Sequence, residues 1–214
     1  VYQRTLDIMV PFLASIREET GVTLSNLNLG GGYGVRYTAE DEAIDIPARL
    51  AELAAHLKEE TERLGLPMPR FLMEPGRSIV ADAGMTLYTV GSVKRIPGYK
   101  QYAAVDGGMT DNPRYALYQS RYTVYHAHKS GSMERFDVVG RCCESGDIIQ
   151  SGVELPGDTC RGDLLAVCTT GAYNYSMASN YNRLPRPAVV MLTPDRIYEA
   201  VRRETFADLT ALDL

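Results

Sequence analysis

Leu6, Met9, Val10, Leu13 and Ile16 recur at helical spacing near the start of the chain and predict a helix over 2–19. Gly21 follows its last turn as a cap. Pro11 falls inside the stripe, so a kink or a helix start is expected there. Val22, Leu24, Leu27 and Leu29 make a short β-like run over 22–29 that ends in Gly30-Gly31-Gly32-Tyr33-Gly34. Leu50, Leu53, Ala54, Leu57, Thr61 and Leu64 form the inner stripe of a second helix over about 46–64, with Pro47 suited to its first turn and Gly65 at its stop. Residues 70–73 read as a short strand closed by Glu74-Pro75-Gly76-Arg77. Helix, strand, glycine loop, helix, strand, polar loop is the order of parallel βα units. Two such units alone are not expected to close a sheet or bury a core. They predict a larger α/β body, a (β/α)8 TIM barrel of roughly 250 residues when whole, most of it preceding Val1.

The pattern changes after Ala83. Thr86, Tyr88, Val90 and Val93 begin a series of short β-rich runs, followed by 102–105, 121–128, 136–140, 148–153, 164–169 and 188–192, punctuated by Gly, Pro, Asp and Asn. This predicts an antiparallel β-barrel or sandwich. Residues 174–182 read as a short helical turn, 197–203 as a last strand, and a final short helix starts near Phe206, entered at Thr205. The predicted domains are 1–83, the closing part of the barrel, and 84–214, the β-domain.

Composition narrows the function. Of 214 residues, 45% are apolar and 23% charged, ordinary values for a globular protein. A net charge of −5 argues against a nucleic-acid binder, and no apolar run approaches the ~18 residues of a membrane span. No signal or transit peptide is recognisable. The chain starts without Met inside a predicted helix, which implies a cut from something longer. Cys142, Cys143, Cys160 and Cys168 form no C-x-x-C pair, so a reduced, cytoplasmic setting is expected. His126 and His128 would share one face of a strand, but no further metal ligands are announced nearby.

Candidate chemistry sits where the loops are. In Gly140-Arg141-Cys142-Cys143-Glu144-Ser145-Gly146-Asp147, a thiol precedes a carboxylate. The first is a competent proton donor, and the second can hold an ammonium group. A small packing cysteine beside an exposed Glu is the plainer reading of that stretch alone. Gly30-Gly31-Gly32 follows a strand and can turn its N–H groups towards a phosphate, or serve only as a flexible turn. Glu74 and Arg77 sit at the C-terminal end of the next strand, where Glu can face a protonated ring nitrogen and Arg can grip a phosphate or carboxylate. Arg114 and Tyr118 are four apart, so one helical turn would put both on one side. Tyr173, after Gly171 and Ala172, can stack on a ring or donate its hydroxyl.

Taken in order, Gly30-Gly31-Gly32-Tyr33-Gly34, Glu74-Pro75-Gly76-Arg77-Ser78-Ile79-Val80, Asn112-Pro113-Arg114-Tyr115, Cys143-Glu144-Ser145-Gly146-Asp147 and Gly171-Ala172-Tyr173 resemble the diaminopimelate decarboxylases. These are pyridoxal 5'-phosphate enzymes of the alanine-racemase-like barrel group. The resemblance implies the end of a (β/α)8 barrel followed by a β-domain. It implies a lyase that converts meso-diaminopimelate to lysine and carbon dioxide, working as a homodimer with active sites at the subunit interface. Gly31 and Gly32 would hold the cofactor phosphate, with Gly76 and Arg77 nearby. Glu74 would face the pyridine nitrogen, and Tyr173 would reach cofactor and substrate. Arg77, Arg114 and Tyr118 would bind the substrate, and Glu144 its non-reacting amino group. Cys143 would protonate the carbanion from the partner subunit.

Two departures stand out. The family's Schiff-base lysine has no counterpart here, since Lys58, Lys94, Lys100 and Lys129 match no family motif, so the chain alone is expected to be inactive. Cys142 also lies beside the donor, and motif position favours Cys143. The rival readings are an ornithine, arginine or carboxylated-polyamine decarboxylase of the same fold, or a non-catalytic interaction homologue. Relatives acting on ornithine or arginine have less need of Arg114 and usually carry Asp after the cysteine, so Arg114 and Glu144 favour diaminopimelate.

Overall fold

The computed structural model describes residues 2–214. It divides into two compact units. One comprises the chain up to Arg36 together with Glu42–Ile79, and the other Tyr37–Asp41 together with Val80–Leu214.

In the first unit, helix α1 (Tyr2–Thr20) runs through Pro11 without ending. Its buried Leu6, Val10 and Leu13 pack with Leu27, Leu53 and Leu57 into one core. Gly21 takes φ +74° and returns its N–H to Arg17 O at 2.9 Å, which only a residue without Cβ does cheaply. Strand β1 (Asn26–Asn28) is shorter than the run 22–29 predicts. Val22 and Leu24 are exposed, and only Leu27 turns to the core. Helix α2 (Ile46–Arg63) is capped by Asp45, whose carboxylate accepts the Ala48 N–H at 3.0 Å. Its buried face is Leu53, Leu57 and Thr61. Leu50 and Leu64 are half-buried, and Ala54 faces solvent, 100° around the helix from Leu53. Strand β2 (Arg70–Leu72) pairs in parallel with β1, Leu27 opposite Phe71. One helical turn, α3 (Arg77–Val80), replaces the expected polar loop from Arg77 onward.

The second unit is built on strands β3 (Met85–Ile96), β4 (Lys100–Val105), β5 (Val124–His126), β6 (Met133–Val139), β7 (Ile148–Pro156) and β8 (Leu164–Cys168). They form one six-stranded sheet in the order β5-β8-β3-β4-β6-β7. The sheet is mixed where an antiparallel one is predicted, because β4 and β6 run parallel. Their connection carries the one-turn helix α4 (Arg114–Tyr118) and β5, and so returns the chain to the end where β4 began. Period-two alternation places Tyr88, Val90, Phe136, Val138, Ile149, Leu155, Leu165 and Val167 in a single core. The Tyr122 N–H, just before β5, reaches Gln150 Oε1 on β7 at 2.8 Å. The outermost strands therefore meet through a side chain without a ladder, and the sheet is nearly closed.

A separate antiparallel ribbon joins β9 (Val189–Leu192) to β10 (Ile197–Val201). Helix α5 (Phe206–Thr210) follows, entered at Thr205 through a reciprocal capping box with Asp208. The single turn expected over 174–182 is two 3-10 turns, Tyr175–Met177 and Tyr181–Arg183. His126 and His128 do not share a strand face. The chain leaves β5 at His126, whose Nδ1 accepts the backbone N–H groups of His128 and Lys129 at 3.2 and 2.9 Å. Its Nε2 lies 3.1 Å from Asp163.

Candidate active site

In the first unit, the glycine loop and Glu74 are one construction. The parallel ladder continues past its strands, with the Leu29 N–H on Leu72 O at 3.2 Å and the Glu74 N–H on Gly30 O at 2.8 Å. A Cβ on Gly31 would stand 2.0 Å from Glu74 O, so no other residue fits there. Gly30 and Gly32 take φ +72° and +110°, and the Tyr2 hydroxyl donates to Gly31 O. The N–H groups of Gly31 and Gly32 have no acceptor among the described residues. Free amides in a cradle that a Cβ would fill are the donor set a phosphate needs. Asn28 ties the parts together. Its Oδ1 accepts the Gly30 N–H at 2.8 Å, and its Nδ2 donates to Glu74 Oε1 at 2.6 Å.

In the second unit, Arg114, Tyr118 and Tyr173 come together. Arg114 opens α4 and is 6% exposed, yet it forms no ion pair with any described carboxylate. Its guanidinium lies over the rings of Tyr118 and Tyr173, 5.2 and 5.5 Å from their centroids. The polar contacts to Ser120 Oγ at 3.5 Å and Met177 Sδ at 4.0 Å are long. Two aromatic faces soften the burial of the cation without neutralising it. Tyr173 sits at φ +66°, an uncommon conformation for a bulky residue. Gly171 lets its loop lie against the chain entering β3, because a Cβ there would stand 1.9 Å from Val80 O.

Cys143 and Glu144 lie exposed in the loop between β6 and β7. Glu144 Oε1 accepts from the Gly146 N–H and Ser145 Oγ, both at 3.3 Å. The buried Asp147 carboxylate organises this loop, taking the Cys142 N–H on one oxygen and the Met109 N–H on the other, each at 2.6 Å. Cβ atoms on Gly108 and Gly140 would stand 2.6 and 2.2 Å from that carboxylate, which explains both glycines. Cys142 is half-buried, and burial together with the Asp147 charge pushes its thiol pKa up. Cys143 is the more exposed of the two.

Sequence reasoning missed the roles of Asn28 and Asp147. Asn28 had a signal, a polar residue two before a glycine loop at a strand end. Asp147 showed only as the end of the Cys143-Glu144-Ser145-Gly146-Asp147 motif, because its partner Met109 is 38 residues away. Of the lysines, Lys100 binds Asp137 at 2.6 Å, Lys129 binds Asp163 at 2.7 Å, and Lys58 lies 3.8 Å from Glu62. Lys94 is on β3.

Residues 5–171 match the family model of the pyridoxal-dependent decarboxylase C-terminal sheet domain. The chain is 50% identical over 190 residues to the diaminopimelate decarboxylase of Bacillus subtilis, covering 88% of this chain and 43% of that protein. It is 41% identical over 197 residues to the Staphylococcus aureus enzyme of the same name, covering 92% and 47%. The structure of diaminopimelate decarboxylase from M. jannaschii in complex with L-lysine superposes with TM-score 0.86 at 32% identity, over 98% of this chain and 47% of that one. The lysine/ornithine decarboxylase of Vibrio vulnificus with cadaverine follows at TM-score 0.70 and 26% identity, over 85% and 48%. The chain thus spans less than half the length of these relatives. No helix among the described residues is long and apolar enough to cross a membrane.

Proposed function

The chain belongs to the pyridoxal-dependent decarboxylases, and from that membership we propose that it is part of an enzyme converting meso-diaminopimelate to L-lysine and carbon dioxide, the last step of lysine synthesis. We read its βα units as the closing part of a (β/α)8 barrel. The whole enzyme would be a cytoplasmic homodimer with active sites at the subunit interface.

The observation that carries the substrate is Arg114. A buried guanidinium without a carboxylate partner is costly unless a ligand anion completes it. Diaminopimelate carries both a carboxylate and an ammonium group at its non-reacting end, whereas ornithine carries only the ammonium there. Arg114 and Tyr118 suit that far carboxylate, and the exposed Glu144 suits the ammonium beside it. Arg77 suits the substrate's other carboxylate.

The glycine-loop amides and Glu74 fit the cofactor. Pyridoxal phosphate, when bound, supplies the electron sink for the pair left behind by departing carbon dioxide. Gly31 and Gly32 would hold its phosphate through backbone N–H groups, with Gly76, Arg77 and Tyr173 completing the contacts. Glu74, fixed by Asn28, would accept a hydrogen bond from the ring nitrogen and keep it protonated. Cys143 would give its thiol proton to the substrate carbon that lost the carboxylate, acting in the site of the partner subunit. The four lysines sit on α2, on β-strands or in ion pairs, so this chain by itself is proposed to be inactive.

The test is lysine formation by the full-length protein with pyridoxal phosphate and meso-diaminopimelate, beside ornithine and arginine. Turnover of meso-diaminopimelate well above the other two supports the reading. A preference for ornithine or arginine overturns it.

A further inference from the structure

The thiol assigned to proton transfer sits on a loop whose backbone is held at two successive peptide groups. The first hold is Asp147, which takes the Cys142 N–H at 2.6 Å. The second is remote in sequence: Asn182 Oδ1 accepts the Cys143 N–H at 2.7 Å. With both amides anchored, the peptide plane leading into Cys143 has a defined orientation, and so does the start of its Cα–Cβ bond.

Asn182 is itself placed at a conformational cost. It takes φ +55° and ψ +23°, and Arg183 after it also takes φ +55°. Two successive left-handed non-glycine residues persist only where surrounding contacts impose them, and Asn tolerates this region better than most side chains. The contacts are present on both flanks. Asn180 Nδ2 donates to Glu204 Oε2 at 2.6 Å, and Arg186 Nε donates to Glu204 Oε1 at 2.7 Å. Arg183 itself donates to Leu209 O at 2.8 Å and to both Asp213 oxygens at 3.1 and 3.0 Å. A strained turn braced by three residues delivers one side-chain carbonyl to one backbone amide, that of the proposed donor.

We propose that Asn182 is a positioning residue for proton transfer, fixing the backbone of Cys143 so that its thiol meets the substrate carbon on one face. The inference rests on the assignment of Cys143 made above. Asn182 touches no reacting atom in this role. Its contribution is to narrow the range of thiol positions, because proton donors work only from a defined geometry.

The test uses the full-length holoenzyme with Asn182→Gly and Asn182→Asp. Glycine accepts the left-handed backbone but removes the acceptor, and aspartate keeps a carboxylate oxygen for the Cys143 N–H. Asn182→Gly should lower kcat for meso-diaminopimelate by about tenfold or more while KM stays within about twofold. It should also speed iodoacetamide labelling of Cys143, followed by peptide mass spectrometry, by about threefold, with Asn182→Asp restoring most of both. Wild-type kcat in Asn182→Gly overturns the inference, as does unchanged Cys143 labelling, or a joint loss of kcat and KM that Asn182→Asp fails to restore. Wild-type holoenzyme that leaves meso-diaminopimelate untouched defeats the parent reading instead, and the labelling comparison still reports whether Asn182 holds Cys143.

Discussion

Asn28 bridges the glycine loop and Glu74, donating at 2.6 Å to the carboxylate while accepting the Gly30 N–H at 2.8 Å. One side chain thus orients the proposed ring-nitrogen partner and shapes the proposed phosphate cradle. A hydrogen bond to a charged group contributes about 1.5–3 kcal/mol, or roughly ten- to a hundredfold in an equilibrium. Asn28→Leu in the full-length protein should therefore weaken pyridoxal phosphate binding by about tenfold or more. A spectroscopic titration of the apoenzyme measures it, and wild-type affinity would remove Asn28 from the site.

Arg114 separates function from stability. Its guanidinium is buried over Tyr118 and Tyr173 with no carboxylate partner among the described residues. Replacing an unpaired buried charge by an apolar side chain of similar length is often neutral or stabilising. Arg114→Met should hold or raise the melting temperature, yet raise KM for meso-diaminopimelate by about tenfold or more as the charged contact is lost. Loss of both stability and binding would make Arg114 a structural residue.

Asp147 predicts the reverse. Its two oxygens each hold a backbone N–H at 2.6 Å, one on each of two loops, inside a space cleared by Gly108 and Gly140. Asn has one oxygen, so Asp147→Asn leaves one amide facing another N–H. The cost should be about 1–3 kcal/mol, the penalty for a buried unsatisfied group. Urea unfolding of this chain measures it directly. Gly108→Ala should be at least as damaging, since its Cβ would collide with the same carboxylate.

These residues also show what the sequence discloses and what it hides. Helices α1 and α2 are legible because a 3.6-residue period has 19 and 18 residues in which to repeat. The turn joining Arg114 to Tyr118 is legible from their spacing of four. Strand β1 is over-read because Val22 and Leu24 are apolar but exposed, and a three-residue strand offers no period to check against. The parallel pairing of β4 with β6 depends on where a long connection returns, which local pattern does not encode. The approach of Tyr173 to Arg114, and the hold of Asp147 on Met109, are tertiary contacts between segments whose local sequences give no sign of each other.

Glu204 supplies a pH prediction. Its carboxylate accepts from Arg186 Nε at 2.7 Å, from the Arg186 N–H at 2.8 Å and from Asn180 Nδ2 at 2.6 Å. The Arg186 side chain first, then these other donors, lower its pKa from an ordinary 4.5 to about 2. A carboxylate whose folded pKa is depressed gives stability that is fully present above its unfolded pKa and is lost as pH falls through the folded value. The contribution should therefore hold from neutrality down to about pH 4.5 and disappear towards about pH 2. Glu204→Gln removes the charge at every pH. The melting-temperature gap between wild type and Glu204→Gln should be widest near pH 7, shrink below pH 4.5 and close near pH 2. A gap that stays constant over that range would mean that shape and neutral hydrogen bonds, not the charge, hold the segment carrying Asn182.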